Sequence, residues 1–360
     1  MIINHIITTI ELGGAEKQLV VLVKEQVKKG HTVSVTYLKG EPELQKDFES
    51  VGATVNSSIA NQNFIIQIWK HSKIAKKQDG LFHAHLPRAE ILCFLTVFNK
   101  QLVASRHNTE YFFPKAGKKI SSILSRIITS KLTNLIAISQ SVTNFLHKNN
   151  EISKKSKISI VYYGFDKENI NRSKSLLKKR SDKKVFRIGT VSRLVPQKDI
   201  PTLINGFKIF LKQQPNSILE IIGVGPLKNE LKILTSKLII EDKVIFYGKK
   251  TNPIQFIADW DLFVLTSKYE GFGLVLLEAM SQGIPIIAAK NSAIVEVLGE
   301  DYRYFFDTEN QEDLAEQMLK VKNNSDSKYF SKCFSERLNI FDPTSMSDKI
   351  ERIYKLNWRK

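Results

Sequence analysis

Short apolar runs alternate with helix-patterned stretches from the first residues almost to residue 290, and few architectures accommodate that alternation. Strand, helix and strand in repeating order build parallel sheets wrapped by helices. Ile2 to Thr9 predicts the first strand and Gly13-Gly14 the turn after it. Leu19, Val20, Val23 and Val27 recur at helical spacing, and Gly30 stops that helix before the alternating strand His31 to Tyr37. Gly80 to His83, Gln101 to Ser105 and Leu135 to Ile138 read as further inner strands, short and apolar as buried parallel strands are. The architecture then starts again: Phe186 to Val191, Ile218 to Ile222, Lys243 to Tyr247, Leu262 to Thr266 and Pro285 to Ala288.

Between the two series, Asp166 to Lys184 is polar, charged and aperiodic, which marks a linker or exposed arm. A chain of 360 residues also exceeds what one core usually supports. The expected plan is therefore a first α/β domain over 1–168, a linker over 169–184 and a second over 185–344. A last helix over 345–360 carries Met346, Ile350, Ile353 and Tyr354 at helical spacing and is expected to pack back on the first domain. No apolar run approaches the roughly 20 residues of a spanning helix, and the uncharged Met1 to Thr9 reads as a strand, not a leader, so a cytoplasmic protein is expected. The two cysteines, Cys93 and Cys333, have neither CxxC spacing nor a metal-binding partner pattern and read as idle thiols.

Charge is unevenly placed. Residues 51–150 hold thirteen Lys and Arg against three acids (Asp79, Glu90, Glu110), so +10 of the net +18 sits there. Such a surface expects anions: nucleic acid, lipid headgroups or phosphorylated substrates. Within this region Ile120, Ile123, Leu124, Ile127, Ile128, Leu132 and Leu135 form one helical stripe, with Lys119, Ser122, Arg126 and Thr129 elsewhere. The stripe reads first as facing the first domain's core; the alternative is an interfacial helix that docks on anionic lipid.

Five features bear on chemistry. In Tyr269 to Pro285, a strand runs into the turn Glu270-Gly271-Phe272-Gly273 and then a helix carrying Glu278, which leaves backbone N–H groups at a helix N-terminus where phosphate or sugar oxygens are favoured. An ordinary strand-to-helix turn is the competing reading. Arg193 and Lys198 follow the strand Ile188 to Val191, at the carboxyl end where open α/β sheets take ligands; two solvated surface cations are the plainer alternative. Ile221 to Pro226 lacks the third glycine of a dinucleotide turn, Lys228 standing in its place, and reads as a loop at the cleft rim. Gly13-Gly14-Ala15-Glu16 is a first strand-to-helix turn that could approach a diphosphate. His83, His85 and His107 fall at strand ends without a further ligand at useful spacing, so no metal site is expected, and His107 suits a polar residue that touches substrate.

Together these residues resemble the retaining glycosyltransferases of family 4 type, which share the GT-B fold of two Rossmann-like domains with parallel sheets facing a central cleft. The run from Glu270 to Pro285 is similar to that family's E-x7-E signature, Arg193 and Lys198 to its diphosphate-binding pair, and Gly13 to Glu16 to its glycine-rich loop. Arg106-His107-Asn108 looks like its donor-proximal histidine segment, and Val161 to Asp166 like the segment before its linker. Tyr163 stands where Asn is usual, and Asn291 to Val297 departs from a GGxxE loop. The resemblance implies that Glu270 lies by the donor sugar and Glu278 takes the ribose. Gly14 and the backbone of Gly271, Phe272, Gly273 and Leu274 would line the donor, with Glu270, His107, Arg193 and Lys198 as the catalytic set.

The activity so implied is transfer of a hexosyl group, with retention, from a nucleoside diphosphate sugar, UDP foremost, to an acceptor hydroxyl. The acceptor expected is a lipid-linked or growing saccharide of cell-surface polysaccharide or lipopolysaccharide, with the enzyme peripheral on the inner face of the cell membrane. No cofactor is expected, since cationic side chains take the place of a metal ion. A sugar-nucleotide epimerase of similar architecture would bind the same donor. A nucleic-acid binder would explain the charge but lacks a recognition motif.

Overall fold

The computed structural model describes residues 1–113, 116–166, 185–324 and 326–356. The expected linker over 169–184 and the last four residues lie outside these. The chain divides into two compact units, one of Met1–Phe165 with Phe341–Lys360, the other of Asp166–Ile340.

In the first unit seven strands form one sheet: β1 Ile2–Ile7, β2 Thr32–Tyr37, β3 Thr54–Asn56, β4 Leu81–His85, β5 Leu102–Arg106, β6 Asn134–Ala137 and β7 Ile158–Ile160. Their order is β3-β2-β1-β4-β5-β6-β7, with every pairing parallel. The helix Gly14–Lys28 follows β1 and ends where Gly30, at φ +80°, accepts a conformation that a Cβ would oppose. Ile3, Ile7, Leu19, Val23 and Val103 form the core with Met346, Ile350, Ile353 and Tyr354 of the helix Pro343–Leu356, which lies against the helix Gly14–Lys28. Each such aliphatic side chain contributes roughly 1.5–3 kcal/mol by leaving water.

The second unit holds β8 Phe186–Val191, β9 Ser217–Ile222, β10 Val244–Gly248, β11 Leu262–Leu265, β12 Ile286–Ala289 and β13 Phe305–Phe306 in the order β10-β9-β8-β11-β12-β13, again parallel throughout. In each sheet the chain steps outward from its first strand and then returns to build the other side. The order therefore reverses between β1 and β4 and between β8 and β11, which is where open sheets leave a crevice beyond the strand ends.

Two sequence expectations change. Three strands were not anticipated, β3, β7 and β13; each has two or three residues and closes one end of a sheet, too short for period-two alternation to register. The apolar stripe after Lys118 faces the core only in part: Ile128, Leu132 and Leu135 are buried, but Ile120, Ile123, Leu124 and Ile127 are not. In the helix Gly117–Thr129, Ser121, Ser125 and Ile128 turn inward, whereas Ile120, Ile123 and Ile127 are about half exposed (55, 57 and 48%) and Leu124 is 37% exposed. The small hydroxyls win the inner face because they bond Glu151, itself fully buried.

Candidate active site

In the second unit β8 ends at Val191 and the chain turns through Ser192 and the exposed Arg193 into a single helical turn, Pro196–Lys198. That turn is held from β11: Thr266 Oγ1 donates to the Lys198 carbonyl (2.8 Å), the Lys268 amide to the Gln197 carbonyl (2.9 Å) and Gln197 Nε2 to the Tyr269 carbonyl (2.9 Å). Lys198 Nζ thereby reaches Glu270 Oε1 at 2.5 Å, and Ser267 Oγ donates to the same oxygen at 2.6 Å. Arg193 leans on Gln197 Oε1 at 3.4 Å. Two cations and a carboxylate thus converge at the carboxyl ends of β8 and β11.

Gly273, at φ +92°, turns the chain into the helix Leu274–Gln282. The helix buries Leu276, Leu277, Ala279 and Met280 and leaves Glu278 half-buried on the other side. The N–H groups at its start, Leu274 and Val275, have no acceptor within the helix, and a helix N-terminus favours negative oxygens. Gly223 and Gly225 have a packing reason: a Cβ at Gly223 would sit 1.8 Å from the Ser192 carbonyl oxygen, and one at Gly225 2.3 Å from that of Leu194. The loop after β9 therefore braces the Arg193 loop directly.

In the first unit, Gly13-Gly14 follows β1, and Glu16 folds its carboxylate back over Gly13, where a Cβ would meet Glu16 Oε2 at 2.2 Å. Gly14 is exposed and begins the helix Gly14–Lys28. Burial raises the Glu16 pKa to about 7, against the pull of its own backbone N–H and with a smaller push from Glu11. His107 follows β5. The residue before it, Arg106, is clamped between Glu90 (2.8 Å) and Glu151 (3.3 Å), with Ser125 Oγ at 3.1 Å, and this buried triad holds the start of the His107 loop. Burial raises the Glu90 pKa although Arg106 pulls it down.

Sequence reasoning missed what surrounds His107. His107 Nδ1 meets the Tyr163 hydroxyl (2.6 Å) and its Nε2 meets His85 Nδ1 (3.2 Å); His85 Nε2 meets His5 Nδ1 (3.0 Å), and His5 Nε2 meets Gln26 Oε1 (2.8 Å). His83 branches off through Tyr354 (2.7 Å) and Ser105 (2.8 Å). The parallel register sets His5 beside His83, and strand period two puts His83 and His85 on one face. Three histidines in otherwise apolar strands were the available signal. Burial pushes His5 down to about 4 and His107 to about 3, the latter with help from the Arg106 charge, so both are neutral. His5, His83 and His85 are the group among the described residues that could hold a metal ion, with nitrogens within 4.8 Å of one another. Yet each of their ring nitrogens already has a hydrogen-bond partner. A tetrahedral zinc site would also draw its nitrogens to about 3.3 Å apart.

Comparison with known proteins matches this geometry to one class. The family model "Glycosyltransferase Family 4" matches residues 12–169 and "Glycosyl transferases group 1" matches residues 171–333, so that together they span most of the chain. The protein belongs to these glycosyltransferases, and its two parallel-sheet units are those of the GT-B fold. HepE of Anabaena, solved with UDP and glucose, superimposes with a TM-score of 0.82 at 20% identity over 98% of this chain and 99% of that one. Among curated relatives, N-acetyl-alpha-D-glucosaminyl L-malate synthase of Bacillus anthracis is 28% identical over 70% of this chain and 68% of its own length. Poly(ribitol-phosphate) alpha-N-acetylglucosaminyltransferase of Staphylococcus aureus is 31% identical over 44% of this chain, a match spanning 34% of that protein. These matches favour a transferase over the epimerase reading.

Proposed function

We propose that the protein is a retaining glycosyltransferase that moves a hexosyl group from a UDP-sugar to a hydroxyl of a lipid-linked or growing saccharide. The observation that carries the donor half is the convergence of Lys198, Arg193 and Glu270 on the helix start at Gly271–Leu274 in the second unit. A diphosphate offers Lys198 and Arg193 more charge than Glu270 and Gln197 do, and the cations then stabilise it as it departs. Glu278 takes the ribose hydroxyls, and Glu270, released from Lys198, faces the sugar. In the first unit, Gly14 and His107 are the residues proposed to meet substrate. No side chain is placed as a nucleophile, so same-face attack assisted by the leaving phosphate is the route favoured. Because Lys198 and Arg193 do the work of a cation, turnover is expected to persist in excess EDTA. UDP is favoured because HepE was solved with it, and a hexose or N-acetylhexosamine because the relatives' names carry those sugars.

For the acceptor, the support is the exposed apolar and basic face of the first unit. The outward stripe Ile120, Ile123, Leu124 and Ile127 is flanked by Lys118, Lys119 and Arg126, and the helix Phe64–Lys77 adds Ile65 (76% exposed) and Trp69 (58%) beside Lys73 and Lys76. The helix Pro87–Thr96 touches both. Apolar side chains rimmed with cations fit an anionic bilayer surface, each Lys or Arg adding about 1 kcal/mol near it. Among the described residues no helix is long and apolar enough to cross a membrane.

The test is nucleoside diphosphate release from a panel of UDP-, GDP- and ADP-sugars, with and without membrane lipid extract, by wild type and Glu278→Gln. Release from one donor that lipid stimulates and the substitution weakens supports the proposal; no release and no donor binding across the panel sinks it.

A further inference from the structure

Both ring nitrogens of His107 are engaged within the first unit, Nδ1 by Tyr163 and Nε2 by His85, so a substrate meets this residue through whatever its partners present. The chain from Tyr163 runs inward through His107, His85 and His5 to Gln26. Gln26 is 2% exposed, and its amide N–H faces the Tyr354 hydroxyl at 3.4 Å. The Tyr354 hydroxyl in turn meets His83, and His83 meets Ser105, so the network continues past Gln26; between Gln26 and Tyr163 its polarity is set at the Gln26 end. Gln26 Oε1 only accepts; His5 therefore donates from Nε2 and accepts at Nδ1. The same logic passes outward: His85 donates from Nε2 to His5, His107 donates from Nε2 to His85, and the Tyr163 hydroxyl proton goes to His107 Nδ1. Each link strengthens its neighbour in a low-dielectric interior. At the Tyr163 end, Gln18, His85, Ser105, His107 and Tyr163 meet apolar core side chains around a space of about 20 Å³, the size of one water or one hydroxyl.

We infer that Gln26, His5 and His85 are positioning residues that hold His107 with its proton on Nε2, and that the group so oriented toward substrate is Tyr163, whose oxygen accepts a hydrogen bond from a sugar hydroxyl. This rests on the reading of His107 as lying beside substrate. It also accounts for where the tyrosine lies, since its phenol reaches from the segment after β7 to the imidazole at the end of β5, ring against ring at 5.9 Å.

The experiment is ¹⁵N-histidine NMR of the full chain, which distinguishes the two neutral tautomers, together with transfer kinetics. In wild type His5, His85 and His107 should each show one neutral tautomer, protonated on Nε2. Gln26→Met should leave His107 a mixture and lower kcat by about tenfold to a hundredfold with donor KM little changed, as loss of orientation does. Gln26→Glu, which keeps an acceptor oxygen at the inner end, should restore the single tautomer and most of kcat. Tyr163→Phe should lower kcat similarly while leaving the inner rings as they were. A proton on Nδ1 of His107, a mixture in wild type, no response to Gln26→Met, or joint movement of the His5, His83 and His85 signals with one equivalent of Zn²⁺ would overturn the inference. Absence of any sugar transfer by wild type would instead defeat the functional reading, with the tautomers still deciding the relay.

Discussion

Lys198 and Glu270 hold one another with only 14% and 8% of their side chains exposed, so removing either leaves the other's charge largely buried without a counter-charge. Lys198→Met should therefore lower kcat/KM for the UDP-sugar by about 10²–10³-fold, as loss of a preorganised charge at a leaving group does, and steady-state kinetics with saturating acceptor would show it. Gly223→Ala acts at a distance. At φ +143°, with a Cβ 1.8 Å from the Ser192 carbonyl oxygen, the loop must shift and carry Arg193 with it. A loss of about 2 kcal/mol or more, seen as a melting point several degrees lower, and weaker UDP binding by calorimetry should appear together. Glu270, Glu278, Arg193 and Lys198 were legible as candidates because motif spacing and strand ends pointed to them. The roles of Ser267, which holds Glu270, and of Gln197, which takes Arg193, were not, since single polar residues in loops carry no periodic signal.

The helix Gly117–Thr129 shows how an element's pattern can be read correctly and its direction wrongly. Its apolar residues do lie on one stripe, and a stripe in a water-soluble fold usually faces inward. Here the inner side was taken by Ser121 and Ser125, whose hydroxyls bond Glu151 beside Arg106, together with Ile128, and Ile120, Ile123, Leu124 and Ile127 were left outward. Replacing Ile120, Ile123 and Ile127 together by Ser should abolish co-flotation with anionic vesicles yet move the melting point by no more than a degree or two, because exposed side chains contribute little to stability. Binding by wild type should weaken steeply as salt rises from about 0.05 to 0.5 M, with a Debye length falling below about 10 Å. Unchanged flotation by the triple variant would remove the docking face.

At the scale of the molecule, all seven histidines lie in the first 147 residues, and so in the first unit. His5, His71, His83, His85 and His107 are held neutral by burial, with pKa values about 4 for His5 and His71 and about 3 for His107. A histidine whose folded pKa lies below its unfolded value binds fewer protons when folded, so its stabilisation is complete above about pH 6.5 and is lost as pH falls toward the folded value. Each loses up to ~1.4 kcal/mol per pH unit in that window. Glu16, raised to about 7, and Glu90, also raised by burial, oppose with the opposite sign. Calorimetry between about pH 8 and 5 should show the first unit's transition falling steeply while the second unit's stays nearly constant; equal shifts in both would contradict the burial of these rings. Local chemistry determined the two parallel-sheet units, the motif loops at their strand ends and the excess of positive charge, because strand and helix periods and glycine turns are written over a few neighbouring residues. Tertiary structure decided that His5, on the first strand, would end up bonded to His85 80 residues on, that Tyr163 would close the far end of that chain, and that an apolar helix face would point outward. Those outcomes depend on strand order and on competition for buried hydrogen-bond partners, which only packing resolves.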